Sequence, residues 1–433
     1  MLRTVIIQLW NRRRSSLSII LELFCVCCLM WYITDYLFVY ACNCSIPSCR
    51  DTNHAWQVNL SVYPSDYSGF RAEENTPEAC LANFERILRV LRDHPDVETT
   101  GVCDDMSIPG SGSYFGQGFV QPDDTTNTVW GQMISISPLA DFFRVFGYTR
   151  DGGRTPVSMH DFDWSNPGAV VISRSAERAL FPGGENAVGR ELGRGSWRER
   201  VVGVVDDIKR FDFLRPQHAF YRPQKITGEQ LMNPSGNVAV FVRSRANISD
   251  SRFSENFMKE MSDALQIGNF YLEDIVACSS VEARITHMFG YTNEVRVRIC
   301  LMVFFLLNIL LCVLGTFWYR VNIRRSETGL RKAMGASKRS VRSHFFLEGL
   351  CLLAVAALLA MIVEAQFVKA GLIETLGKSE NDLPGYLPDR TALRFLITNA
   401  ITTVTLALVI LGAIWIPAQK AASVPPVDAL RDE

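Results

Sequence analysis

The sequence predicts a membrane protein: four transmembrane α-helices plus an α+β extracytoplasmic domain. Three observations carry that expectation. Hydrophobic residues fill 48% of 433 positions while charged residues still fill 21%, and mean hydropathy is +0.08, as a mixture of apolar spans and a water-exposed domain would give. Four runs, at residues 17–41, 299–319, 345–368 and 393–417, have the length of about 20 residues that a helix needs to cross a bilayer. Residues 42–298, between the first two runs, have ordinary globular composition. A net charge of -1 gives no reason to expect a nucleic-acid partner. How the charges segregate along the chain says more than their sum.

Segregation sets the orientation, because cytoplasmic flanks of spans are enriched in Lys and Arg. The segment 1–16 carries Arg3, Arg12, Arg13 and Arg14 and no acid. The link at 320–344 carries Arg320, Arg324, Arg325, Arg331, Lys332, Lys338, Arg339 and Arg342 against Glu327 alone. Residues 369–394 hold four cations and four acids. Both ends and the basic link are therefore expected in the cytoplasm, with 42–280 outside as a globular domain. The loop 369–392 would be outside as well, and 418–433 would be a cytoplasmic tail. The apolar core of the first run exceeds the roughly 7–15 residues of a cleaved signal, so a retained helix is expected.

Within the outer domain, two stretches share one grammar. "HAWQVNLSVY", "EACLANFERILRVLRD" and "VETTGVC" read as strand, helix, strand, with Leu81, Phe84, Ile87, Leu88 and Leu91 on one helical face. "NVAVFVRS", "SRFSENFMKEMSDAL" and "NFYLEDIVAC" repeat the order, with Phe253, Phe257, Met261 and Leu265 as the stripe. Two such β-α-β units, far apart in sequence, predict a split ferredoxin-like sheet interrupted by a strand-rich insertion at about residues 110–235. The glycines of "SIPGSGSYFGQGF" (Gly110, Gly112, Gly116, Gly118) are followed by no Lys-Ser/Thr. They predict a hairpin or turn, not a phosphate loop. Ser279 and Glu282 have capping-box spacing. A helix starting there and running unbroken over 281–323, as a stalk (281–298) continued by the second span, would reach about 65 Å. Gly290 and Thr292 are the places where it would break.

Twelve cysteines divide by compartment. Cys25, Cys27, Cys28, Cys300, Cys312 and Cys351 fall in the apolar runs as small hydrophobes. Cys42, Cys44, Cys49, Cys80, Cys103 and Cys278 fall outside, where disulfides persist; sequence does not give their pairing. "CNCSIPSC" has no nearby His, so structural or unpaired thiols are expected there, not zinc. Intramembrane carboxylates are functional candidates. Glu22 lies in the first run, as a helix-pairing contact or an interfacial residue. Glu364 and Glu348 are such candidates as well, the alternative being that they face the outer and inner headgroups respectively.

The most specific stretch is "RRSETGLRKAMGASKRSVRSHFFLEGL", which follows the second span directly. Gly335 suits a left-handed helix end and Ser337 suits the cap of the next helix. Two short helices meeting at a Gly-Ala corner make a compact knob, with Arg331 and Lys332 free to pair with acids of a partner. Electrostatic anchoring explains the cations but not these turn signals. The stretch resembles the cytoplasmic link of MacB/FtsX-like ABC-transporter permeases. Their pattern of Arg-x-x-Glu-x-Gly-x-Arg-x-x-x-Gly-Ala-Ser, then Glu in the next helix, falls on Arg324 or Arg325, Glu327, Gly329, Arg331, Gly335, Ala336, Ser337 and Glu348. "IPAQKAASVPPVDALRDE" is similar to the family's tail through Pro417, Ala418, Ala421, Pro426, Val427, Ala429, Leu430 and Arg431. "VVISRSAERALF", "AVGREL" and "VVGVVDDIKRFDFLRP" are weaker matches in the insertion.

The resemblance implies a stand-alone permease subunit in a bacterial inner membrane, with the large domain in the periplasm. Its partners would be a separate cytoplasmic ATP-binding-cassette subunit, a second permease in a homo- or heterodimer, membrane lipids and an envelope protein. The chain has no G-x-x-x-x-G-K-S/T, so no phosphate loop of that type. No cofactor is expected on this chain, and ATP with Mg would sit on the partner. ATP hydrolysis there would move the link and, through it, the outer domain, for efflux or extraction of a peptide, drug, lipid or lipoprotein, or to activate an envelope enzyme. The competing reading is a receptor or sensor that binds outside without transport. A hydrolase finds no H-E-x-x-H or G-x-S-x-G among six scattered histidines.

Overall fold

The structure is a computed structural model that describes residues 13–122, 124–194, 197–233, 238–373 and 383–425. In chain order, the first elements are α1 (Arg13–Ser45), β1 (Ala55–Val62), α2 (Pro77–Asp93), β2 (Val97–Cys103), β3 (Gly116–Gln121) and β4 (Asp124–Ile136). Next come β5 (Ala169–Ser173), α3 (Arg174–Leu180), β6 (Glu191–Arg194), β7 (Trp197–Val205), β8 (Ala219–Pro223) and β9 (Ala239–Ser244). Then follow α4 (Asp250–Ala264), β10 (Phe270–Ala277), α5 (Cys278–Met288) and α6 (Tyr291–Ile323). The chain closes with α7 (Arg325–Ala333), α8 (Lys338–Lys369) and α9 (Thr391–Ser423). These elements fall into two compact units, one built on the four long helices and one on residues 43–291.

In the strand-containing unit, α2 begins where local chemistry tells it to. Thr76 caps it by accepting the Ala79 N–H, and Pro77 occupies the first turn, where its missing donor costs nothing. Cys80, Phe84, Ile87, Leu88 and Leu91 are buried on one face, and they share a core with Phe253, Phe257, Met261 and Leu265 of the α4 segment. Each large apolar side chain so buried contributes about 1.5–3 kcal/mol. The four strands flanking these helices run in the order β2-β9-β1-β10. Every neighbouring pair is antiparallel, with Val102 opposite Val240 and Val58 opposite both Val240 and Ile275. That is the split ferredoxin-like arrangement expected from the two β-α-β stretches.

The insertion holds the other six strands of this ten-stranded sheet, in the order β8-β5-β7-β6-β3-β4. β8 pairs with β5 on one side and, in parallel, with β4 on the other, Phe220 facing Met133 across the seam. The six strands therefore close on themselves, and closure removes the open edges that invite wrong pairing. Phe119, Val129, Met133, Val170, Ile172, Leu192, Val201 and Phe220 form one apolar cluster drawn from all six strands. The ring joins the four-stranded part through Cys103 on β2 opposite Ile136 on β4.

In the helical unit, α1, α6, α8 and α9 are each long and apolar enough to cross a membrane. Ile19, Leu23, Met30, Phe317, Leu352, Ala356, Ile410 and Ile414 belong to one core. α8 and α9 approach closely because Gly349 leaves room: a Cβ there would sit 2.3 Å from Ile414 and 3.2 Å from Ile410. Small residues at helix contacts are how apolar helices gain packing in lipid.

Candidate functional site

The basic link sits in the helical unit as α7 followed by a sharp corner. Gly335 has φ +94°, its N–H bonds to Lys332 O and the Ala336 N–H to Arg331 O, both at 3.0 Å. This is a Schellman ending, the geometry that a left-handed glycine permits. Ser337 then accepts the Ser340 N–H at 3.2 Å and caps α8. The second helix of the corner is not short, as the sequence reading had it, but the cytoplasmic extension of the third span. Glu327 and Arg331 pair at 2.8 Å, one turn apart and half-exposed, while Gly329 is buried. Arg324, Glu327, Thr328, Arg331, Val341, His344 and Phe345 line a small cleft beside them.

Two residues behave differently from expectation. Lys332 turns inward: its Nζ donates to Ala422 O at 3.0 Å and to Val424 O, at the C-terminal end of α9. A cation there satisfies carbonyls that the helix leaves open. Glu348 does not face headgroups. It is 2% exposed and accepts from Arg320 and, at 2.8 Å, from Arg324. Arg320 lies in the last turn of α6 and Arg324 just past it, so this ion triad ties the second span to the third at the root of the link.

The other intramembrane charges are also engaged. Glu22, half-buried, accepts the Cys312 thiol at 2.7 Å, which makes it a contact between α1 and α6. Glu364 is 1% exposed, not facing headgroups. Asp35 and Arg394 went unnoticed in the sequence. Arg394 Nε donates to Asp35 Oδ1 at 2.9 Å and a second guanidinium nitrogen reaches Oδ2. Trp31 Nε1 donates to Thr398 Oγ1 at 3.0 Å one turn away. The signal was a second acid, beside Glu22, in the first apolar run, 359 residues from its partner.

In the strand-containing unit, a second cluster gathers on residues 206–215, within "VVGVVDDIKRFDFLRP". Lys209, 2% exposed, donates to Asn43 O at 2.9 Å and Ile46 O at 3.1 Å, carbonyls of the segment that opens this unit. Burial holds its ammonium below the ordinary lysine range, while Asp212 opposes that shift. Arg50 pairs with Glu282 at 2.9 Å and donates to Arg210 O. Phe213 packs on Tyr291 with ring centroids 4.8 Å apart. Glu282 thus serves an ion pair and not a capping box, and α5 has Ala277 at its cap position with no side-chain bond. The stalk is not continuous either: α5 stops at Met288, and Gly290 takes φ +80° before α6 begins.

Gly110 and Gly112, at φ +76° and +84°, shape the turn leading to β3. Among the described residues Cys80, Cys103 and Cys278 are buried thiols outside any disulfide, and no group of His, Cys, Asp and Glu is placed to hold a metal ion. The tail motif from Pro426 to Arg431, and Arg3 and Arg12, lie outside the described residues.

Residues 299–426 match the FtsX-like permease C-terminal family. The macrolide export ATP-binding/permease protein MacB of Escherichia coli K12 is 23% identical over 295 residues, 68% of this chain and 42% of that protein. MacB 1 of Yersinia pestis bv. Antiqua (strain Antiqua) is 22% identical over 349 residues, 79% of this chain and 50% of that protein. The chain spans about half the length of the curated relatives it matches. Among solved structures, the periplasmic region of MacB from Actinobacillus actinomycetemcomitans aligns with TM-score 0.31 and 16% identity, over 54% of this chain and 94% of that one. The extracellular domain of the noncanonic ABC-type transporter YknZ from Gram-positive bacteria aligns with TM-score 0.28 and 15% identity, over 50% of this chain and 100% of that one. The chain thus carries a segment similar to the FtsX-like permease C-terminal family over residues 299–426, has four membrane-length helices, and is similar at 22–23% identity to macrolide export ATP-binding/permease proteins.

Proposed function

We propose that this chain transmits motion from a separate cytoplasmic ABC ATPase, through the link at 320–344, to the large periplasmic domain. The observation that carries the reading is the corner itself. A Schellman ending at Gly335 and the Ser337 cap fix α7 against α8, and the Glu348 triad fixes both to the end of α6. A force applied to such a knob moves helices and is not absorbed in a loop. Glu327, Arg331 and the exposed turn at Met334–Gly335 are the surface offered to the ATPase, which would hold ATP and Mg. A second permease completes the complex, and the product of the motion is export or extraction of a drug, peptide, lipid or lipoprotein, or activation of an envelope enzyme.

The test is purification of the tagged chain from its host in mild detergent, with identification of co-purifying proteins and an ATP hydrolysis assay. Glu327→Ala removes one half-exposed ion pair worth only about 0.3–0.5 kcal/mol, so the fold is expected to survive it. Loss of a Walker-motif ATPase, or of its coupling, in Glu327→Ala and Gly335→Trp is the expected result. An ATPase indifferent to both substitutions, or none at all, would overturn the docking role and favour a receptor that binds ligand outside.

A further inference from the structure

The buried carboxylates of the helical unit divide into two kinds. Asp35 faces Arg394, and Glu348 faces Arg320 and Arg324. Glu364 on α8 has no such cation among its described contacts. It is 1% exposed, and its Oε2 has no hydrogen-bond partner. The group within hydrogen-bonding reach of its carboxyl is the Asn399 amide of α9, a neutral side chain. From α1, the titratable groups that feel its charge are the thiols of Cys27 and Cys28. Glu364 is thus enclosed by the bundle's own side chains.

An isolated carboxylate in such surroundings is far costlier than a neutral carboxylic acid, because nothing replaces the water it has lost. One neutral amide contact does not replace that lost solvation, whereas a neutral carboxylic acid demands far less of its surroundings. We propose that Glu364 is a proton-binding site within the membrane bundle, occupied at neutral pH. Its ligand is a single proton, held between α1, α8 and α9. The proposal is independent of the ATPase reading, since it rests on no feature of the link.

Infrared spectroscopy of the full chain in lipid nanodiscs tests it directly. A protonated carboxyl has a C=O stretch well separated from the carboxylate bands. The expected result is such a band at pH 7 that is absent in Glu364→Gln, unchanged in Glu22→Gln, and lost as the pH is raised. Glu364→Gln keeps the shape of the neutral acid, so its thermal midpoint at pH 7 should match the unsubstituted chain. Identical spectra for the two chains at pH 7 would overturn the proposal. So would a Glu364→Gln chain that no longer folds, since that would mean the bundle needs the negative charge.

Discussion

At Gly335 the backbone stands at φ +94°, and nothing lies within 4 Å of where a Cβ would project. Replacement there is a test of conformation alone. A β-branched residue in the left-handed region costs about 1–2 kcal/mol or more, while Asn visits that region readily. Gly335→Asn should therefore keep most of the ATPase coupling and Gly335→Val should lose most of it, read as hydrolysis rate in the reconstituted complex. Glu348 poses the opposite case. Glu348→Gln leaves two buried guanidinium groups short of a charge, and breaking a buried pair costs about 3–5 kcal/mol. A drop in thermal midpoint of several degrees, much larger than for Glu327→Ala, is the expected result; equal midpoints would mean that the triad holds nothing. The two residues also differ in legibility. The Gly335 corner could be read from sequence because its cap and bonds are local. The partners of Glu348 lie 24 and 28 positions away, and no periodicity points to them.

Elements show the same division. The amphipathic stripes of α2 and α4 fix which face is buried, so both helices were legible. The stalk was legible in part: an unbroken helix does not form, but the break falls at Gly290, one of the two positions the sequence offered, where φ is +80°. The junction of β5, α3 and β8 was invisible in sequence, since strand crossings assemble it. His218 Nδ1 lies 3.1 Å from Ser175 Oγ, and the Ser175 N–H donates to Asp207 at 2.8 Å. Burial lowers the His218 pKa below the ordinary histidine value, with Asp207 pulling the other way. The unfolded chain then binds the proton more readily than the folded one. Stability is full above the ordinary value of about 6.5 and falls as the pH drops below it. Thermal midpoints measured from pH 7.5 to 5.5 should decline, and His218→Gln should flatten that decline. An unchanged slope in the variant would assign the acid sensitivity elsewhere.

At the scale of the whole molecule, the strand-containing unit looks like a four-stranded sheet with a detachable insertion, and sequence alone encourages that view. β2 ends at Cys103 and β9 begins at Ala239, which face each other in register, so a two-residue turn could join them. Packing argues against detachability. Trp56, Val58, Val102, Val240 and Val242 point toward α2 and α4. Ala55, Cys103, Ala239 and Phe241, which alternate with them, share a second core with Phe142, Phe143, Phe146 and Tyr221 of the insertion. The sheet is thus covered on both faces, a state that strand alternation could not distinguish from one wet face because the far-side residues are themselves apolar. Removing 104–238 in favour of an Asn-Gly turn would expose Phe241, now fully buried, on a contiguous apolar surface of the kind that drives association. The shortened chain should aggregate when solubilised, and Phe241→Thr in that background should partly restore a monodisperse species on size-exclusion chromatography. A shortened chain that stays monodisperse without the second substitution would show that the four-stranded sheet stands alone and that the closed ring is an accessory carried upon it.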